Sequence, residues 1–243
     1  MTRTRLLGAG IAGFTLALLF TAPAELLREP LRESLPGARL GAMQGHLLAG
    51  HVAPFSLGGV PFDRAEWRWR PAALLTGRLA VDLVLEQRDS RIELRAVQAP
   101  WSAETELREV AGDLDLERLG RALPRLPGRV RGQLTFDGVA ITFGADGWPR
   151  HAAGRLRLHA AELVTPIALP LGKAEGTLGM DGNRLVIGFT LSPPAAITGR
   201  GTLRLGADGA YALSARLAPG NPADPEMTAW LRLAGRQESD GSV

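Results

Sequence analysis

The side chains of this chain that could do chemistry are few and scattered. Four histidines, His46, His51, His151 and His159, fall in no His-Glu-x-x-His helix and no comparable ligand spacing. On a continuous strand His46 and His51 would point to opposite faces, and the break at Gly50 leaves their geometry unset. Asp113 and Asp115 would share a strand face, as would Glu104 and Glu106. Paired carboxylates are a standard source of general acid and base catalysis, but solvent-facing alternation explains both pairs more simply. No Gly-x-Ser-x-Gly elbow exposes a serine nucleophile. Cysteine is absent, which removes thiolate chemistry, disulfides and cysteine metal sites together. The glycines follow a strand rhythm and form no glycine-rich turn leading into a helix, as a phosphate loop would. The residues therefore predict no enzyme, no cofactor and no metal.

Aromatic residues offer binding instead of catalysis. Trp67 and Trp69 share one strand face, with Glu66, Arg68 and Arg70 on the other. They read either as core aromatics beside solvent-facing charges or as an exposed patch that binds lipid or a partner. Trp67-Arg68-Trp69-Arg70 is the only place where aromatics and cations interleave. All but Lys173 of the 28 basic residues are arginine, spread along a chain whose net charge is only +3, so nucleic acid is not an expected partner.

The elements that must position these residues begin with a run of 19 uncharged residues, Leu6 to Ala24, directly behind Arg3 and Arg5. That length is near the ~20 residues a helix needs to cross a bilayer. The arginines place its start on the cytoplasmic side, with Leu6, Leu7, Ile11, Phe14, Leu16, Leu18, Leu19 and Phe20 as the anchoring residues. Ala22-Pro23-Ala24 also has the small-x-small form of a signal cleavage site, so a cleaved leader is the rival. Either way the rest of the chain is exported, and no cysteine follows for lipid attachment. Residues 25–38 form a juxtamembrane linker in which Leu26, Leu27, Leu31 and Leu35 sketch a short amphipathic piece interrupted at Pro30.

From Arg39 onward, glycines punctuate stretches of alternating apolar residues, such as Leu79, Val81, Leu83 and Leu85, the pattern of strands buried on one face. A loose Gly-x-Leu start recurs at Gly132, Gly154, Gly176 and Gly201, spaced 22, 22 and 25 residues apart, which suggests one hairpin per repeat. Asp137-Gly138 reads as a two-residue turn setting Phe136 against Val139 and Gly132 against Phe143. Gly182-Asn183 sets Met180 against Leu185 and Gly176 against Phe189. Ala207-Asp208-Gly209 is a three-residue loop setting Leu205 against Tyr211 and Leu203 against Leu213. Asp115 to Leu123 reads as a short helix with Asp115 as cap, dividing the exported part into residues 39–127 and 128–236. A polar tail, residues 237–243, closes the chain. The expected fold is mainly β: a curved, mostly antiparallel sheet, half-barrel or flattened sandwich, with one apolar face and one short helix.

The sequence also resembles type II secretion system protein N. The resemblance rests on the N-terminal anchor, Leu35-Pro36, and the phrase Gly45-His46-Leu47-Leu48-Ala49-Gly50, where the family tends to have Gly-Thr-Leu-Trp-x-Gly. The most telling part is Trp69-Arg70-Pro71 with Leu74 and Gly77, and the hairpin Gly199 to Leu217 closes the likeness. The resemblance implies a non-enzymatic inner-membrane component or assembly factor of the secretion system, bound to other proteins of the inner-membrane platform. Trp67, Trp69, Phe136, Phe143, Phe189 and Tyr211 are the candidate partner- or lipid-binding residues. A looser architectural similarity to AsmA-like proteins implies the alternative of a lipid-handling module, with phospholipid on the apolar sheet face.

Overall fold

A computed structural model describes residues 21–35, 37–118, 129–165 and 169–221, together with Met227, Ala229 and Leu231. The anchor candidates from Leu6 to Phe20, Pro36, the stretch Leu119 to Leu123 and the polar tail lie outside the described residues. Among the described residues no helix is long and apolar enough to cross a membrane.

Alternating apolar residues make strands, and these strands make one open antiparallel sheet. They are β1 (Arg39–His46), β2 (Ala49–Leu57), β3 (Val60–Phe62), β4 (Arg64–Trp69), β5 (Leu79–Gln87), β6 (Ser90–Gln98) and β7 (Thr105–Asp115). After a connection come β8 (Arg129–Phe143), β9 (Pro149–Thr165), β10 (Leu169–Asp181), β11 (Arg184–Ser192), β12 (Ile197–Leu205) and β13 (Tyr211–Pro219). The 13 strands pair in chain order, except that β3 hangs from β2 while β4 continues the sheet. A single sheet replaces the flattened-sandwich alternative. It also runs unbroken across the connection after residue 115, because β7 pairs with β8 along Leu114↔Leu134 and Leu107↔Ile141.

Two of the three expected hairpins form in the expected register. Met180 faces Leu185 and Gly176 faces Phe189 around Gly182-Asn183. Leu205 faces Tyr211 and Leu203 faces Leu213 around a loop closed by the Gly206 N–H donating to Ala210 O at 2.8 Å. The third does not form. Asp137 and Gly138 lie inside the 15-residue strand β8. Gly138 does take a left-handed φ of 61°, as the turn reading required. It uses that backbone for a bulge, visible as a register shift between Asp137 and Ala140 against β9. Phe136 consequently faces Gly112 and Leu156, and Phe143 faces Thr105 and Pro149. The Gly repeat marks one long strand per unit at β8, β9 and β10, and a hairpin only in its last interval.

The helical parts are short. Pro30 does not interrupt the segment after the apolar run: it lies in the first turn of the helix Arg28–Ser34, where its missing N–H is no loss. A 3-10 turn, Ala24–Leu27, precedes that helix. A second 3-10 turn, Pro71–Thr76, opens on proline and ends on Gly77 in the left-handed conformation. Asp115 caps the turn begun by Leu116, its Oδ1 accepting from the Glu117 N–H at 2.9 Å. Past β13 the expected β region gives way to helix at Met227, Ala229 and Leu231.

Candidate protein-binding face and edge

Register places apolar side chains on one face across the whole sheet. One transverse row runs Val52, Ala65, Leu85, Ile92, Gly112, Phe136. It continues through Leu156, Gly176, Phe189, Gly201 and Ala215. The opposite face is charged, with Asp113, Thr135, Arg157, Glu175 and Thr190 forming the matching row.

Burial along the apolar face is uneven. Over β2 to β8 it is closed: Val52, Phe55, Phe62, Ala65, Trp67, Ile92, Val110, Leu114 and Val139 are all buried in one cluster. Phe55 and Phe62 stack there with centroids 6.0 Å apart. Over β11 to β13 it is half-buried or exposed apart from Ile197, ending at Tyr211 and Leu213, which are 55% and 62% exposed. Leu231 covers the far corner, packed on Leu169 and Ile197.

The two edges of the sheet differ as sharply. At β1 the chain seals its own edge. Pro23 bridges His46, and the Leu47 N–H donates to Ala22 O at 3.0 Å. Arg28, held by Glu25, donates to the carbonyls of Leu40 at 3.2 Å and Gly41 at 2.9 Å. The Arg28 hydrogen bond lowers the Glu25 carboxyl below its usual range. Ala22 and Ala24 are buried here, so the last residues of the apolar run already belong to the fold.

At β13 no such device is present among the described residues. The bond from Gly206 N–H to Ala210 O and that from Gly220 N–H to Ala196 O mark even-numbered residues as the ones bonded to β12. The alternation leaves the N–H and C=O groups of Tyr211, Leu213, Ala215 and Leu217 pointing away from the sheet.

The candidate residues fall in three places. Trp67 is 9% exposed and donates Nε1–H to Leu47 O at 3.1 Å; it is a core aromatic, with Trp69 half-buried against the same cluster. Phe136 and Phe189 are brought onto one row with Leu156 and Gly176 between them, and Phe143 lies toward the end of β8. Tyr211 opens the free edge. Leu213 was visible in the alternating pattern only as a core partner of Leu203. Leu74, Leu75 and Trp101 lie in turns, where no periodicity marks them.

The chemical candidates disperse. His46 and His51 share a face, because the chain reverses at Leu47-Leu48 and pairs Gln44 with His51 and His46 with Ala49. Asp113 accepts from the Thr135 hydroxyl at 2.5 Å, and Asp115 is occupied as a cap. Glu104 precedes β7 and so does not share a strand face with Glu106, which pairs with Arg108. Asp82 sits between Arg70 and Arg95 at 2.6 and 2.8 Å. Burial alone would raise its carboxyl, but hydrogen bonds from both arginines outweigh that and hold it below the usual range.

These features define a wide single-sheet scaffold with one apolar face, one sealed edge and, among the described residues, one edge left uncovered. Among the described residues no group of three or more side chains could hold a metal. The family described as type II secretion system (T2SS), protein N matches residues 36–243, and the chain belongs to it. It is therefore a component of the type II secretion system. Both telling phrases have structural roles: Gly45 to Gly50 is the β1–β2 turn, and Trp69 to Gly77 carries β4 into its capped 3-10 turn. No curated protein and no solved structure matches the chain.

Proposed function

We propose that this protein is a non-enzymatic, inner-membrane-anchored component or assembly factor of the secretion system. It binds other proteins of the inner-membrane platform in the periplasm, through the β11–β13 end of its sheet. The observation that carries this reading is the open β13 edge. Its outward N–H and C=O groups, flanked by exposed Tyr211 and Leu213, form a template for an added strand. Natural sheets blunt such edges unless they are used, and among the described residues only the β1 edge carries such a device. Phe189, half-buried one row further in, extends the contact surface.

The test is site-specific photocrosslinking in living cells from Leu213 and Tyr211, with the core residue Trp67 as reference. Capture of identified secretion-system subunits from the two edge positions, and not from Trp67, is the expected result. Absence of any such product in cells whose secretion depends on this protein counts against it. Replacing the Leu6 to Ala24 segment with a cleavable signal is expected to impair secretion; normal secretion would remove the anchor from the mechanism.

A further inference from the structure

The sheet has two rims, and they differ in kind. Trp69 N–H donates to Leu48 O at 2.8 Å, which sets the end of β4 beside the β1–β2 turn. Antiparallel order returns every second connection to that rim. The Pro71–Thr76 turn and the loop between β6 and β7 therefore share it. On this rim Leu74 is 56%, Leu75 90% and Trp101 79% exposed. They are neighbours: a methyl on Gly77, which caps the turn, would stand 2.8 Å from Trp101 Cη2. Among the described residues the opposite rim carries Gly58-Gly59 and Arg88-Asp89 in its turns, with Leu57, 39% exposed, as its one exposed large apolar side chain.

The chain enters the sheet at the apolar rim. Pro23 bridges His46, and Ala22 O accepts from Leu47 N–H, so the end of the apolar run, at Ala22 and Pro23, lies beside the Leu47-Leu48 turn. The apolar turns of β4–β5 and β6–β7 lie two to four strand spacings further along, about 10–20 Å at ~4.8 Å each. Large exposed apolar side chains at the tips of turns form no core. A tryptophan with leucines suits the headgroup level of a bilayer, where one end of the ring is apolar and the other wet. The arginines nearest them, Arg70 and Arg78, pair with Asp82 at 2.6 Å and Glu106 at 3.8 Å, so little net positive charge is offered to anionic lipid.

We propose that Leu74, Leu75 and Trp101 insert into the phospholipid headgroup region of the membrane that holds the N-terminal segment. The domain then has two attachments to the bilayer, one covalent through the apolar run and one by side-chain insertion, which together fix the orientation of the sheet. This inference rests on reading that run as an anchor. The occupant is the bilayer surface itself, recognised by apolar insertion and not by lipid charge.

The absence of cysteine from the natural sequence gives a clean test. The full chain carrying Leu75→Cys is labelled with an environment-sensitive fluorophore and reconstituted into phosphatidylcholine vesicles; Asp89→Cys on the opposite rim is the reference. Emission from position 75 is expected to shift to the blue. Its quenching by shallow spin-labelled lipid is expected to exceed that at position 89 by about twofold or more, and to be insensitive to salt. Adding Leu74→Glu, at a position exposed enough to leave folding intact, is expected to abolish the shift. A chain that stays in the vesicles at alkaline pH with position 75 no different from position 89 overturns the insertion alone. A chain that washes out overturns the anchor, and the insertion with it.

Discussion

The indole of Trp67 lies across Gly50 on the neighbouring strand, so close that a methyl on Gly50 would stand 2.6 Å from Trp67 Cζ2. The same methyl would stand 2.4 Å from the Gln44 carbonyl oxygen. The ring then reaches beyond the glycine to donate its N–H to Leu47 O. One aromatic side chain thus clamps the β1–β2 turn onto β4. The glycine is required by the space that ring occupies.

Gly50→Ala is accordingly expected to lower the unfolding free energy by about 2 kcal/mol or more, since neither the ring nor the backbone oxygen can move away freely. Trp67→Phe keeps an aromatic face over Gly50 but loses the bond to Leu47, at a cost of about 1–2 kcal/mol. Denaturant midpoints of the two variants against the parent check both values. An unchanged midpoint for Gly50→Ala would sink the clamp.

The same arrangement recurs at the other end of the sheet with a usable contrast. A methyl on Gly201 would meet Phe189 Cζ at 2.5 Å and Ala215 Cβ at 2.8 Å, whereas one on Gly179 meets nothing within 4 Å. Gly201→Ala is expected to destabilise by about 1–3 kcal/mol. Gly179→Ala is expected to be neutral or stabilising by up to about 1 kcal/mol, because it restricts the unfolded chain. Equal effects from the two would mean that the ring does not occupy the space over Gly201.

How much of this was legible depended on how local the determinant was. The turns at Gly182-Asn183 and Ala207 to Gly209 are written in adjacent residues, and the pairings that follow, Gly176 with Phe189 among them, could be counted outward. Asp137-Gly138 carries the same local signal, and its glycine does take a positive φ. Whether the chain then reverses or bulges is decided by strands β7 and β9 on either side, which no dipeptide encodes. The contact of Trp67 with Gly50 and the sealing of β1 by Arg28 join residues 17 and 12 apart in sequence to the carbonyls and rings they meet. Alternation alone leaves such pairs unmatched. The exposed Trp101 and Leu75 escaped for a further reason: turns have no period, so an apolar residue there carries no directional signal.

Asp82 gives a pH dependence with a definite sign. Its folded carboxyl titrates below the unfolded value because Arg70 and Arg95 donate to it. Its contribution is therefore fully present above the unfolded carboxylate value of about 4 and is lost as pH falls through the lower folded value. Asp82→Asn is expected to cost about 1 kcal/mol at neutral pH and to flatten the acid limb of the stability profile. Urea midpoints between neutral and strongly acidic pH measure both. An acid limb of unchanged steepness would assign it to other carboxylates.

The sealed edge can be opened deliberately. Arg28 is the residue to change, because its guanidinium bonds two β1 carbonyls, while Arg32 one turn later pairs with Glu29 at 3.3 Å and, among the described residues, bonds no β1 carbonyl. Hydrogen bonds from a charged donor are worth more than surface ion pairs. Arg28→Ala is therefore expected to lose clearly more local stability than Arg32→Ala, which should be close to neutral. The loss should be local: faster amide exchange across β1 and the β1–β2 turn, with β9 to β12 unchanged. An opened β1 edge also offers β13 of another copy a strand to pair with, so Arg28→Ala should self-associate progressively with concentration where the parent does not. Sedimentation velocity over a concentration series reads that directly. If Arg28→Ala and Arg32→Ala sediment alike and exchange alike, the seal resides in the Pro23 bridge and not in the guanidinium.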